Sequence, residues 1–219
     1  ILDNQGNLHT FDSLILATGS RPFVPENAQL HLPGRFTMRK KSDADRLKKY
    51  LDSTNLPTEE QHIVIIGGGL LGLELAAALK HKKVKITIIQ RASRLMERQL
   101  DRVSSKLLAE EVQLRDIQIY FDNEVSTVFE TDNPNELEIA LKSGKIITAN
   151  AIVYTIGTLP NIEIAKESGL ACGRGVKVNQ YLQSSNPSVF AIGEIAEFNN
   201  QLFGITSAAE EQADILANF

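Results

Sequence analysis

His62-Ile63-Val64-Ile65-Ile66-Gly67-Gly68-Gly69-Leu70-Leu71-Gly72 decides the fold of this chain. The first five residues are a β-branched run that reads as a buried strand, and the glycines end it in a turn. Residues 74–80 (ELAAALK) are strong helix formers, and residues 85–89 (KITII) supply a second strand. Strand, glycine turn, helix and strand follow one another within about thirty residues, the setting that the dinucleotide fingerprint GxGxxG requires. Gly67 allows the tight turn, Gly69 lets backbone approach a pyrophosphate, and Gly72 lets the helix pack closely on the strand. The free N–H groups and positive dipole end of the following helix face the phosphates, and Leu70 and Leu71, within the fingerprint, are expected among the nucleotide contacts. The pattern predicts a bound dinucleotide rather than a bare structural turn.

Composition narrows the classes. The 219 residues suffice for one large domain or two small ones, and 42% hydrophobic with 23% charged residues is ordinary for a globular protein. A formal charge of −4 and the lack of a basic stripe argue against a nucleic-acid partner. The apolar run 63–79 approaches the length of a membrane span, but four glycines and Glu74 interrupt it, so strand plus helix explains it better and no membrane partner is expected. Cys172 is the only cysteine, which leaves no internal disulfide, CxxC pair or iron–sulfur ligand set. His9, His31, His62 and His81 are scattered without metal-ligand spacing, and no metal site is expected. No Ser-His-Asp constellation is present, and no catalytic residue is assigned.

The chain opens on a strand-turn-strand pattern (residues 1–8), then a buried strand (14–17) ending in Thr18-Gly19. Arg21-Pro22, Pro25 and Pro33-Gly34 mark irregular chain and a domain crossing. Ser42 is the expected N-cap of a helix with Asp43 and Asp45 in its first turn and Lys48-Lys49 near its end, a charge order that suits the dipole. From 62 to about 157 runs a complete nucleotide-binding unit. Its later parts are a helix over 101–115, a strand over 117–121, antiparallel strands over 124–130 and 136–141, and an apolar strand from 151 ending at Gly157. A strand over 189–192 runs into Gly193-Glu194, and a helix over 207–218 closes the chain.

At three further places the chain resembles the FAD-dependent pyridine nucleotide oxidoreductases, the glutathione-reductase-like flavoproteins. Residues 14–19 (LILATG) match that family's first strand-to-ATG motif, 151–161 (AIVYTIGTLPN) its second such strand, and 189–194 (VFAIGE) its flavin-binding strand. With the glycine fingerprint the resemblance covers nearly the whole chain. Within the superfamily the likeness is greatest to the flavin module of NAD(P)H-nitrite reductase large subunits, carried by residues 95–101 (LMERQLD), by Gly193-Glu194 in place of Gly-Asp, and by Glu211-Gln212. Two features depart from the pattern: the family's own N-terminal GxGxxG for the ADP half of FAD is missing, and so are the cysteines for iron–sulfur and siroheme centres.

The resemblance implies an α/β fold with two Rossmann-like FAD/NAD(P)-binding domains of the glutathione-reductase type, the FAD domain incomplete. Residues 1–34 are then a partial FAD-domain segment, 35–157 the NAD(P)-binding domain with its preceding linker, and 158–219 the FAD-domain return segment. The expected cofactors are FAD, in an intact parent, and NADH or NADPH. Thr18, Gly19, Arg21, Gly193 and Glu194 are the implied FAD contacts, and Gly157 closes the nucleotide-domain strand beside the cofactors. Glu74 has two readings: a residue near the meeting of nicotinamide and flavin, or a helix-start carboxylate stabilised by the dipole. Gln90 ends the second strand where a ribose contact is expected, and it carries no charge to repel a 2′-phosphate. Arg91, Arg94 and Arg98 could pair with such a phosphate or form a solvated basic loop.

The implied function is part of a cytoplasmic flavoprotein that passes hydride from NAD(P)H to FAD and electrons on to an iron–sulfur/siroheme, nitrite-reducing metal centre. The fragment alone is expected to be inactive and to lack stoichiometric FAD. A stand-alone rubredoxin or ferredoxin reductase or an NAD(P)H oxidase is the alternative among enzymes, and a nucleotide-binding redox-sensing module without turnover the alternative outside them.

Overall fold

A computed structural model describes residues 1–218. The strands are β1 (Leu14–Leu16), β2 (Ser20–Pro22), β3 (Arg35–Thr37), β4 (His62–Ile66), β5 (Lys85–Ile89), β6 (Ile117–Tyr120), β7 (Val125–Glu130), β8 (Leu137–Leu141), β9 (Ile146–Ala149), β10 (Ala151–Tyr154), β11 (Thr158–Pro160), β12 (Val176–Lys177), β13 (Val189–Ala191), β14 (Ala196–Phe198) and β15 (Gln201–Leu202). The helices are α1 (Lys41–Ser53), α2 (Leu70–Lys80), α3 (Arg102–Leu114), α4 (Glu163–Glu167) and α5 (Thr206–Ala217). The chain divides into two compact units, Pro22–Gly157 and the pair Ile1–Arg21 with Thr158–Phe219.

The central unit is built on a five-stranded sheet in the order β3-β10-β4-β5-β6. All its pairings are parallel. Every residue of β4 and β10 is buried, which is why both read as unbroken apolar runs rather than alternating ones. Successive side chains still point to opposite faces. Ile63, Ile65, Ile86 and Ile88 meet Leu47 and Leu51 of α1, Ala76 and Leu79 of α2 and Val112 of α3. Val64, Ile66, Ile152 and Tyr154 meet Val128, Ile139 and Ile147 from an antiparallel sheet in the order β7-β8-β9. The unit is therefore three layers: helices, parallel sheet and antiparallel sheet.

One local expectation is corrected. Ser42 does not cap α1. The helix starts at Lys41, and Asp43 takes the capping role, its carboxylate accepting the N–H groups of Lys40 at 2.9 Å and Arg39 at 3.0 Å. A carboxylate in the first turn can reach back to those orphan donors as well as a hydroxyl at the cap can. The two compact units divide between Arg21 and Pro22. Residues 22–34 belong with the central unit because Ala28 is fully buried in its second core and the Asn27 amide donates to the Ser126 carbonyl at 3.1 Å.

In the other unit β1 and β13 pair in parallel, Leu14 opposite Val189, so the sequence-distant segments share a sheet. Their small core gathers Ile162, Val176, Ala191 and Ile195 around Leu16. Ile15, on the opposite face of β1, is 50% exposed. Among the described residues no helix is long and apolar enough to cross a membrane.

His62 shows how the central core handles a polar group. Its ring Nδ1 lies 2.6 Å from the Thr148 carbonyl and Nε2 2.9 Å from the Thr87 hydroxyl. The carbonyl can only accept, so Nδ1 carries the proton and Nε2 accepts. Burial, with the nearby Lys85 charge adding to it, pushes His62 down to about 4. An unfolded histidine titrates near 6.5, so between these values the unfolded chain binds the extra proton and stability falls as pH falls. Between pH 7.5 and 5 the loss from this group is expected to be about 2 kcal/mol. Urea unfolding at the two pH values should show that loss in the native protein and not in His62→Gln; equal losses in both would contradict the assignment.

Candidate nucleotide site

The end of β4 is held on both sides before the chain turns. Gly67 donates to the Ile89 carbonyl at 2.9 Å, and the Thr155 hydroxyl reaches the carbonyls of Ile66 at 2.9 Å and Gly67 at 3.2 Å. Gly67 has φ +109, and a Cβ there would stand 2.9 Å from the Thr155 carbonyl oxygen, so conformation and space both call for glycine. Gly68 is enclosed: a Cβ would meet Leu95 Cδ2 at 2.4 Å. Gly69 differs from both. It has extended backbone, it precedes α2 without a side-chain cap, and a Cβ on it would meet nothing within 4 Å. Open space therefore lies against the first turn of α2, where the N–H groups of Leu70, Leu71 and Gly72 precede the first helical bond, from Leu73 to the Gly69 carbonyl at 3.1 Å. Leu70 and Leu71 are exposed beside it. Backbone donors, a helix dipole and an unfilled approach fit the diphosphate of a dinucleotide.

Gln90 behaves otherwise than expected. Instead of reaching outward to a ribose it is buried, its Oε1 accepting the Gly68 N–H at 2.8 Å and its Nε2 donating to the Arg94 carbonyl at 3.1 Å. Both ends of the amide are taken, so it ties the glycine turn to the loop that follows β5. Met96 N–H adds a bond to the Gly68 carbonyl at 2.9 Å, and Leu95 is wholly buried in the helical-face core. Asp101 completes this connection as the N-cap of α3, accepting the Ser104 N–H at 2.7 Å. The LMERQLD run thus braces the glycine turn from behind.

Of the arginines, Arg91 projects with its side chain 80% exposed and Nε 3.8 Å from Glu124. Arg94 donates to the Glu97 carbonyl at 2.8 Å, and Arg98 is exposed. Glu74 lies in the second turn of α2, on its exposed side, and the first turn carries no acid, which removes the helix-start reading. Gly157 is exposed at φ +108, its carbonyl accepting the Phe23 N–H at 2.9 Å.

In the other unit Asn161, read from sequence only as part of a trailing motif, proves to be the hub. It accepts the Thr18 hydroxyl at its carbonyl (2.6 Å) and the Arg21 guanidinium at its Oδ1 (2.9 Å), and its own N–H bonds the Gly19 carbonyl at 2.9 Å. Arg21 also pairs with Glu163 at 2.7 Å. Thr18, Gly19 and Arg21 are thus brought together by β11 and α4. Glu194 Oε2 accepts the Ser20 hydroxyl at 3.0 Å, and Gly193, at φ +69, donates to the buried Gln212 side chain at 2.7 Å. Gln212 and Asn161, read from sequence only as parts of motifs, and Thr155, not read at all, are the supporting residues; a Thr two positions before Gly157 was the available signal for the last.

Comparison with known proteins gives the family. A family model described as pyridine nucleotide-disulphide oxidoreductase matches residues 2–213. The chain is 34% identical to a nitrite reductase [NAD(P)H] of Bacillus subtilis over 99% of its own length and 26% of the relative's. It is 30% identical to the assimilatory nitrate reductase electron transfer subunit of the same organism, over 100% of this chain and 27% of that protein. Among solved structures, a ferredoxin reductase from Rhodopseudomonas palustris superposes with a TM-score of 0.86 at 25% identity, covering 97% of this chain and 52% of that one. The chain thus spans about a quarter of the two bacterial relatives and about half of the reductase. With the family model matching almost end to end, this chain belongs to the pyridine nucleotide-disulphide oxidoreductase family.

Proposed function

We propose that this chain is the nucleotide-handling part of a flavoprotein that takes reducing equivalents from NADH or NADPH through FAD to a nitrite-reducing metal centre. The observation that carries the reading is the open approach at Gly69 over uncapped backbone donors of α2. Those donors bind the dinucleotide diphosphate, with Leu70 and Leu71 flanking it and the Gln90 amide holding the turn rigid from behind. Thr18, Gly19, Arg21, Gly193 and Glu194 are the residues proposed for FAD. When bound, the nicotinamide and flavin supply hydride and electron transfer; the protein's part is placement and exclusion of water. Glu74, two residues beyond the last glycine of the fingerprint, is the acid available to the nicotinamide half. The nitrite-reducing end, with its iron–sulfur and siroheme groups, rests on likeness to nitrite reductases, and a cytoplasmic setting goes with it. Likeness to a ferredoxin reductase supports a second reading, a reductase serving a separate iron–sulfur protein.

The test is anaerobic mixing of the full-length gene product with NADH or NADPH, with nitrite, ferredoxin or oxygen as acceptor. Nitrite-dependent nucleotide oxidation is expected. Oxidation that depends only on ferredoxin would transfer the assignment to the second reading, and nucleotide binding without turnover on any acceptor would make the protein a sensor.

A further inference from the structure

A second concave site lies in the central unit, at the amino-terminal end of β3, whereas the glycine turn follows the carboxyl end of β4, which runs parallel to β3 with β10 between them. It is an open cleft of about 540 Å³. Its walls carry His31, Arg46 and Lys49, with Arg35 also in its lining, and no Asp or Glu contributes to it. Arg46, Lys49, Tyr50 and Ser53 are spaced so that one face of α1 forms one wall. The chain around Leu30, Leu32 and Pro33 forms an apolar wall.

Among the described residues His31, Arg46 and Lys49 enter no salt bridge, although Asp45 and Asp52 lie four residues before and three residues after Lys49 on α1. Asp43, the nearest first-turn acid of α1, is taken up by the Arg39 and Lys40 N–H groups. Arg46 is held over the Phe36 ring, its guanidinium carbon 6.0 Å from the centroid, and Phe36 in turn packs against Tyr50 at 5.3 Å. Arg35 is almost wholly buried. Its Nη1 donates to the Pro33 carbonyl and its Nη2 to the Val128 carbonyl, its buried Nε makes no hydrogen bond, and the Glu130 carboxylate stands 4.0 Å away. Burial pushes the Tyr50 hydroxyl up, and the Arg35 charge opposes that push.

From this geometry we propose that the cleft binds a small anion with a flat apolar body, an aromatic carboxylate, sulfonate or phosphate, its charged end between Arg46 and Lys49 and its body against the wall near Tyr50 and Pro33. Arginine offers planar paired donors to such groups, and an apolar wall with a few converging polar groups is the usual make-up of a small-molecule site. The assignment does not rest on the nucleotide reading.

The probe is naphthalene-2-sulfonate, titrated into the full chain at low salt with excess NADH present, backbone amides being followed by NMR. Saturable shifts are expected in residues 30–36 and 46–53. The Arg46→Gln/Lys49→Gln double variant should lose about tenfold in affinity, and the uncharged 2-naphthalenemethanol should bind about tenfold more weakly to the native protein. Both side chains are exposed, so the variant is expected to fold, and an unchanged far-ultraviolet spectrum is the control. Unchanged affinity in the variant, equal binding of the neutral analogue, or shifts elsewhere on the surface would each overturn the proposal.

Discussion

Gly72→Ala is expected to destabilise the protein by about 3 kcal/mol or more, although alanine is the better helix former by about 1 kcal/mol. The two effects have opposite signs, and distance decides between them. A Cβ at Gly72 would stand 2.0 Å from the Gly67 carbonyl oxygen and 2.8 Å from the Thr155 hydroxyl oxygen. Neither can yield cheaply: the carbonyl is backbone of the glycine turn, and the hydroxyl is held between two carbonyls at 2.9 and 3.2 Å. Helix α2 would have to lift from β4, uncovering Ala76 and Leu79, which are buried in the helical-face core. Urea unfolding is the measurement, and an unchanged or raised midpoint would contradict the close-packing role.

Gly69→Val should do the reverse. Gly69 has extended backbone, φ −85 and ψ −174, which any residue adopts, and its Cβ position is open. The fold should keep its stability to within about 0.5 kcal/mol. The branched side chain would then stand in the space assigned to the diphosphate, and nucleotide affinity should fall about a hundredfold or more, equivalent to about 2.7 kcal/mol. Calorimetry with NADH and NADPH on both proteins separates the two effects. An unfolded variant would contradict the open space at Gly69, and one that binds as tightly as the native protein would place the nucleotide elsewhere.

These two glycines also mark how far sequence alone reaches. The apolar runs of β4, β5 and β10 and the turn between them are local patterns, and the parallel sheet follows from them directly. The pairing of β1 with β13 was legible through the motifs at their ends. Strand β3 was not: Arg35-Phe36-Thr37 is three residues long and opens on an arginine that sequence places at a surface, yet all three are buried at the sheet edge. The carbonyls that receive Arg35, Pro33 and Val128, come together only in the fold. Gln90 was misread for a related reason. Its position at the end of β5 is local information, but the direction of its amide is set by Gly68 and Arg94, which the tertiary fold brings to it. The compact central unit begins at Pro22, and Ala28 and Asn27 tie that stretch to residues about a hundred positions away, contacts no local pattern reveals.

The central claim, that a nicotinamide dinucleotide sits on the first turn of α2, is tested most directly by backbone amide NMR of the chain titrated with NADH and then NADPH. Saturable shifts of the Gly69, Leu70, Leu71 and Gly72 amides with at least one nucleotide are expected. Absence of binding by both, or shifts that leave those four amides unmoved, would contradict it.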